Sequence, residues 1–253
     1  MTQLSEHLAA PQSSQRESIR RFWDERAQTF GTDQRATLGE TYLRHVEIRE
    51  VTRRLRRLRP ASVLDVGCGN GFSTRHYAKA IPRTQFIGVD FSQEMIGHAA
   101  GDCPANCRFA VADVTDSSTL PRGPFDAILT QRCLQNLPDY EQQHAAIGHL
   151  LARRSAGGTL LLNECSKDGV AQLNGLRRRL GMEPIENIEP WHNCFMWDQN
   201  LVRDFDARIE HISSTYMLAA KIVHKKLAKW ARFLPALPVR FGYDKLYVIR
   251  NVG

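Results

Sequence analysis

Apolar positions along this chain change their period several times, and those changes divide it into elements. From Ser14 to Phe30, the residues Ile19, Phe22, Trp23 and Phe30 recur at helical spacing among arginines and glutamates. From Leu38 to Leu58, a second stripe of Tyr42, Val46, Val51, Leu55 and Leu58 turns inward with arginines outward, and Pro60 stops it. Compact β-branched runs then alternate with helical stretches. The pattern predicts strands at 62–66, 85–90, 108–112, 125–130 and 159–163, with helices at 73–80, 93–100 and 139–153 between them. Such alternation predicts an α/β domain built on a parallel, doubly wound sheet. Further on, a helix is expected over 170–180 and a sixth strand over 209–216. An amphipathic helix over 221–234 should bury Val223, Leu227, Trp230, Ala231 and Leu234, and a last strand should cover 241–250.

The sharpest local feature is Val63-Leu64-Asp65-Val66-Gly67-Cys68-Gly69-Asn70-Gly71-Phe72-Ser73-Thr74. An apolar run carrying an acid leads into three glycines in five positions, and a small hydroxyl residue opens the next helical pattern. This reads as strand, tight loop and helix start, with glycines permitting positive φ and a close ligand approach. A phosphate P-loop needs Lys-Ser or Lys-Thr after its last glycine, where this chain has Phe72-Ser73. The dinucleotide fingerprint is Gly-x-Gly-x-x-Gly, whereas Gly67, Gly69 and Gly71 run Gly-x-Gly-x-Gly. Asp65 beside a pyrophosphate would repel it but suits a cation, so the ligand is expected to carry positive charge.

The stretch resembles the first motif of class I S-adenosylmethionine-dependent methyltransferases, a Rossmann-like family, of the small-molecule or sugar type. The resemblance continues in order through Phe86-Ile87-Gly88-Val89-Asp90-Phe91-Ser92, Phe109-Ala110-Val111-Ala112-Asp113-Val114, Pro124-Phe125-Asp126-Ala127-Ile128-Leu129 and Gly157-Gly158-Thr159-Leu160-Leu161-Leu162. It implies a seven-stranded sheet of order 3-2-1-4-5-7-6 with the last strand antiparallel. Also implied are N-terminal helices folded over the cofactor as a lid and an insertion after the fifth strand. The expected organisation is a loose tail over 1–14, lid helices over 15–60 and a cofactor-binding core over 61–164. A substrate-side insertion over 165–208 and C-terminal strands with a basic helix over 209–253 complete the same domain.

Asp90 closes the second strand and suits a ribose diol, Phe91 can lie on an adenine face, and Asp113 with the Val114 N–H suits the adenine edge. With Asp65, Gly67, Gly69, Gly71 and Gln131 these form the expected S-adenosylmethionine site. In this family the stretch Thr130–Asp139, including Arg132, faces the methyl acceptor. It lacks the Asp/Asn-Pro-Pro-aromatic motif of enzymes that methylate planar amino groups, and Cys133 lacks the surroundings of a cytosine-C5 nucleophile. These departures argue against a nucleic-acid base as acceptor.

The insertion carries Trp191-His192-Asn193-Cys194-Phe195-Met196-Trp197, and Trp191, Asn193 and Trp197 are expected to wall an acceptor pocket that Trp23, Phe30 and Tyr42 close. A hydroxyl acceptor must lose a proton, and His192 is the expected base, with Glu164 as its competitor or as a positioning group. The favoured function is O-methyl transfer to a small-molecule or sugar hydroxyl. Alternatives are an amine or a phosphorylated or lipid-linked glycan as acceptor, a cofactor-binding partner subunit without catalysis, and an NAD(P) dehydrogenase.

Composition adds little beyond charge. Six cysteines occur without a Cys-x-x-Cys pair, so reduced thiols and no structural zinc are expected. The first residues lack a signal pattern and no apolar run approaches the length of a membrane span, which places the protein in the cytoplasm. The net charge of +7 is concentrated in Arg53, Arg54, Arg56, Arg57 and Arg59, and in Lys221, Lys225, Lys226, Lys229 and Arg232. Such clusters attract anionic ligands or surfaces, and oligomeric state is left open.

Overall fold

The computed structural model describes residues 12–250, with side chains from residue 15 onward. Helix α1 (Gln12–Phe30) and helix α2 (Thr41–Leu58) precede strand β1 (Ser62–Val66). Then follow α3 (Phe72–Ala80), β2 (Gln85–Asp90), α4 (Gln93–Ala99), β3 (Cys107–Val111), β4 (Phe125–Gln131), α5 (Tyr140–Leu151) and β5 (Arg154–Cys165). The remainder is α6 (Lys167–Arg179), α7 (Asp198–Phe205), β6 (Arg208–Glu210), α8 (Ser214–Met217), α9 (Ala228–Ala231) and β7 (Asp244–Ile249). The seven strands lie in the order β3-β2-β1-β4-β5-β7-β6. β7 runs antiparallel to both neighbours and the other pairs are parallel. The doubly wound sheet follows the sequence pattern, and the antiparallel last strand is the one the resemblance implies.

Alternation along β1 shows how the sheet is covered. Leu64 and Val66 join one core with Ile147 and Leu150 of α5, while Val63 joins the opposite core with Val51 and Leu55 of α2 and Tyr77 of α3. Successive side chains of a strand point to opposite faces, so a run apolar throughout must be sandwiched by helices. Helix starts are placed by short polar side chains: Ser92 Oγ accepts from the Met95 N–H (3.0 Å) and Asp139 Oδ1 from the Gln142 N–H (2.8 Å).

The structure corrects the sequence reading in three places. Helix α1 already runs at residue 12, inside the expected tail, whose residues 1–11 lie outside those described. The sixth strand ends at Glu210, and Ser214–Tyr216 of the expected strand belong to helix α8 instead. The expected helix over 221–234 is broken, because His224 is extended (φ −164°, ψ 137°) between a π-turn at Leu218–Val223 and a 3-10 turn at Lys225–Leu227. Only its small members Ala228 and Ala231 are buried, against Leu43 and Val46 of α2, while Val223, Leu227, Trp230 and Leu234 face out.

Helix α2 is fastened to the sheet by a buried polar network. Arg132 follows β4 with a left-handed backbone (φ 55°). Its Nε donates to Glu47 Oε1 (2.7 Å) and its Nη2 to Asp244 Oδ1 (3.3 Å). Arg44 lies 3.5 Å from the same Glu47, and Gln131 Nε2 donates to Glu47 Oε2 (2.9 Å). Burial pushes the Glu47 carboxyl up, but the two guanidiniums outweigh it and hold it below the usual range. Replacing Arg132 with Ala leaves that carboxylate buried without its main partner, and the expected loss is about 3–5 kcal/mol. Urea unfolding checks this as a lower midpoint with an unchanged slope.

Candidate active site

A cavity of about 1020 Å³, counting its open mouth, lies at the carboxyl ends of β1, β2 and β4. Asp65, Gly67, Gly69, Asp90, Phe91, Asp113, Val114, Gln131 and Arg132 all line it. The topology accounts for this convergence, since the sheet order reverses between β1 and β4 and leaves a crevice there. The turn after β1 holds Gly67, Gly69 and Gly71 at φ of 72°, 54° and 72°. A Cβ on Gly67 would stand 2.4 Å from Cys133 Sγ, and one on Gly69 2.4 Å from Thr37 Cγ2. The glycines thus let two walls of the cavity close on the turn, and Gly71, packed against Phe109, lies behind the cavity lining.

The three acids are held differently. Asp65 is buried; Thr74 Oγ1 donates to its Oδ2 (2.6 Å), while its Oδ1 has no partner among the described residues. Burial pushes its pKa up to about 7, against the Thr74 hydrogen bond and the Arg44 charge. Asp90 takes the Gly69 N–H (2.8 Å) and the Ser92 N–H (3.0 Å), and burial raises it to about 6. Asp113 accepts at Oδ1 from the N–H (2.9 Å) and hydroxyl (2.7 Å) of Thr115, and at Oδ2 from Arg16 Nη2 (2.5 Å).

That last contact defines the roof. Arg16 reaches Asp113 beyond β3 and Trp23 Nε1 donates to Asn136 Oδ1 (3.3 Å) beyond β4, so α1 spans the strand ends from one to the other. Arg16, Ile19 and Trp23 line the cavity. Of the other expected lid aromatics, Phe30 packs on Ala27, Ala36 and Met95, and Tyr42 lies under the Arg232 guanidinium, 4.9 Å from its ring centre. Neither lines the cavity.

Residues expected on the acceptor side are placed less uniformly. Asn193 Nδ2 donates to Asn136 Oδ1 (3.0 Å) and Asn193 Oδ1 accepts from Gln135 Nε2 (3.0 Å), tying the insertion to the loop after β4. Trp191, 62% exposed, meets Phe22 edge-on, and Trp197 faces Lys167 instead of the cavity. His192 stacks on Phe22 with ring centres 4.2 Å apart and meets Trp23 edge-on at 5.5 Å, outside the cavity lining. Burial lowers its pKa to about 4, with the Arg26 charge adding to the effect. Its surroundings are those of an aromatic packing residue. Glu164 is also outside the lining: its Oε1 accepts from Thr130 Oγ1 (2.7 Å) and from the Cys133 and Leu134 N–H groups (3.1 Å each). Burial raises Glu164 to about 7, and its bonds shape the loop that walls the cavity.

Sequence reasoning missed Arg16, Thr37 and Arg44, all in the lining, while Asn136 lies in the stretch expected to face the acceptor. Arg44 was read among outward arginines, yet it is buried and its Nε has no partner among the described residues. The available signal was Glu47 one helical turn on, because a buried guanidinium needs a carboxylate.

Residues 63–158 match the family model described as a methyltransferase domain. Over residues 63–158 the chain thus carries a methyltransferase domain. It is 35% identical over 149 residues to trans-aconitate 2-methyltransferase of Klebsiella pneumoniae, covering 55% of this chain and 56% of that protein. It is 31% identical over 109 residues to ajmaline N-methyltransferase of Rauvolfia serpentina, covering 41% and 36%. The chain thus spans about half the length, or less, of these curated relatives. In structure it resembles magnesium protoporphyrin IX methyltransferase of Synechocystis PCC 6803, at a TM-score of 0.60 and 18% identity over 93% of this chain and 100% of that one.

The methyltransferase domain's site offers an unpartnered carboxylate oxygen on Asp65 and an unpartnered guanidinium nitrogen on Arg44. These suit the ammonium and carboxylate of an amino-acid moiety such as that of S-adenosylmethionine. A cation favours ionised Asp65, so affinity for S-adenosylmethionine should fall as pH drops from about 7 to about 5, by up to about tenfold per unit. Calorimetric titration across that range checks it, and Asp65→Asn should bind weakly with a shallower profile, the remaining slope coming from Asp90.

Proposed function

We propose that this protein transfers a methyl group from S-adenosylmethionine to an oxygen of a small-molecule acceptor, with a carboxylate favoured over a hydroxyl. The observation that carries the size limit is the roof: α1 is tied down near its start by Arg16 to Asp113 and at its middle by Trp23 to Asn136. With α1 covering the strand ends and the cofactor occupying part of the same cavity, the space left favours a small partner. S-adenosylmethionine supplies a methyl on a positively charged sulfur, and an acceptor oxygen takes that methyl while the carbon–sulfur bonding pair returns to sulfur. Asp65 and Arg44 would hold the amino-acid end, Asp90 the ribose, and Phe91 with Asp113 and Val114 the nucleobase. Alignment and exclusion of water are then the main tasks of the chain, and alignment alone is worth roughly 7–11 kcal/mol.

Two observations favour a carboxylate over a hydroxyl acceptor. His192, the expected base, is stacked away from the cavity with its basicity lowered, and Glu164 is consumed by loop hydrogen bonds. An acceptor without a proton to lose does not need them. Arg16, Arg44 and Arg132 also line the cavity, paired with Asp113, with Glu47 and with Glu47 and Asp244 respectively, and an anionic acceptor could exchange with those carboxylates for their N–H donors. The similarity to a trans-aconitate methyltransferase, though partial, agrees with this choice. An amine acceptor is the second reading, supported by the partial similarity to an ajmaline N-methyltransferase.

Labelled S-adenosylmethionine presented with separate panels of small polycarboxylates, sugars and amines tests the assignment. Alkali-labile label on a carboxylate is expected, whereas alkali-stable label on sugars or amines overturns the carboxylate reading. His192→Ala should keep turnover within about tenfold, since general-base removal typically costs about 10²–10⁴.

A further inference from the structure

We infer that the segment Val223–Arg240 is a docking surface for an anionic lipid bilayer, an inference independent of the acceptor. Among the described residues thirteen large apolar side chains are exposed, and seven of them fall between Val223 and Val239. They include Val223 (68% exposed), Trp230 (62%) and Phe233 (66%), with Leu234, Leu237 and Val239 following. The break at His224 and the burial of only Ala228 and Ala231 turn these bulky groups outward, where a continuous helix would have buried one stripe of them.

Cations are interleaved with them. From His211 to Tyr243 the sequence contains no Asp or Glu, but it holds Lys221, Lys225, Lys226, Lys229, Arg232 and Arg240. Lys221 pairs with Glu40, whereas Lys225, Lys226 and Lys229 form no ion pair among the described residues. Lys229 and Arg232 lie against the rings of Trp230 and Phe233, at 5.1 and 4.5 Å from the ring centres. The surface extends onto α2, where Arg49 Nη1 donates to the Arg232 carbonyl (2.5 Å) and the exposed Arg53, Arg56 and Arg57 lie along the same helix.

Aromatic and aliphatic groups set among unpaired lysines are what an interfacial segment uses: apolar groups enter the headgroup boundary while ammonium groups meet lipid phosphates. A nucleic acid would satisfy the cations but leave Phe233, Leu234 and Leu237 in water, and an apolar protein face would leave the lysines unpaired. A bilayer satisfies both sets. No helix among the described residues is long and apolar enough to cross a membrane, so the contact is peripheral.

The test is co-sedimentation of the full chain with vesicles of phosphatidylglycerol and phosphatidylcholine in equal parts, against vesicles of phosphatidylcholine alone. Binding to the first and not the second is expected, with high salt weakening it. Lys225→Glu/Lys226→Glu should lower the partition coefficient at least about tenfold. Trp230→Ser/Phe233→Ser should also weaken it, with retained binding of S-adenosylmethionine showing that both variants are folded. Equal binding to both vesicles, no binding to either, or charge variants that bind as well as the parent protein would overturn the inference. So would retention on a DNA duplex, or self-association through this face, without lipid binding.

Discussion

Two guanidiniums sharing one buried carboxylate set the geometry on which the cavity depends. Glu47 lies inside the protein on α2 and is reached by Arg44 from its own helix and by Arg132 from the end of β4. An ion removed from water carries a desolvation cost that only close partners offset, so neither helix nor strand end can shift without stranding a charge. Arg132 is held in a left-handed backbone as part of this arrangement, with its own N–H donated to the Asn163 carbonyl (2.8 Å). Helix α2 is thereby locked to the sheet.

The same economy appears on the other side of the cavity. Asp65 and Asp90 sit at strand ends where burial disfavours their charge. Backbone and hydroxyl donors relieve part of that cost but leave one Asp65 oxygen unsatisfied. A site that keeps a carboxylate oxygen and a guanidinium nitrogen unsatisfied is arranged in advance for a ligand with both charges. Little reorganisation is then required when such a ligand enters.

The central sheet was legible because its signals are local: strand runs, glycines at fixed spacing and acids closing successive strands. The elements that failed depend on what lies opposite them. Ile212 to Tyr216 is as β-prone as any strand here, yet Tyr216 is buried as part of helix α8 against the core that holds Leu43 and Phe241, while Ile212 packs from a turn into the core with Val51 and Tyr77. The stripe from Val223 to Leu234 has a helical period, but the space beside α2 admits only the methyl groups of Ala228 and Ala231. The sequence around His192 placed it among aromatics, but its position, stacked on Phe22 and outside the cavity lining, depends on a contact distant in sequence that carries no local signature.

The attachment of α1 at Asp113 is open to competition. One oxygen of that carboxylate is occupied by Thr115 and the other by Arg16. A ligand that offered its own hydrogen-bond donor to that carboxylate would compete with Arg16 for the same oxygen, so occupancy at Asp113 and attachment of α1 would be coupled.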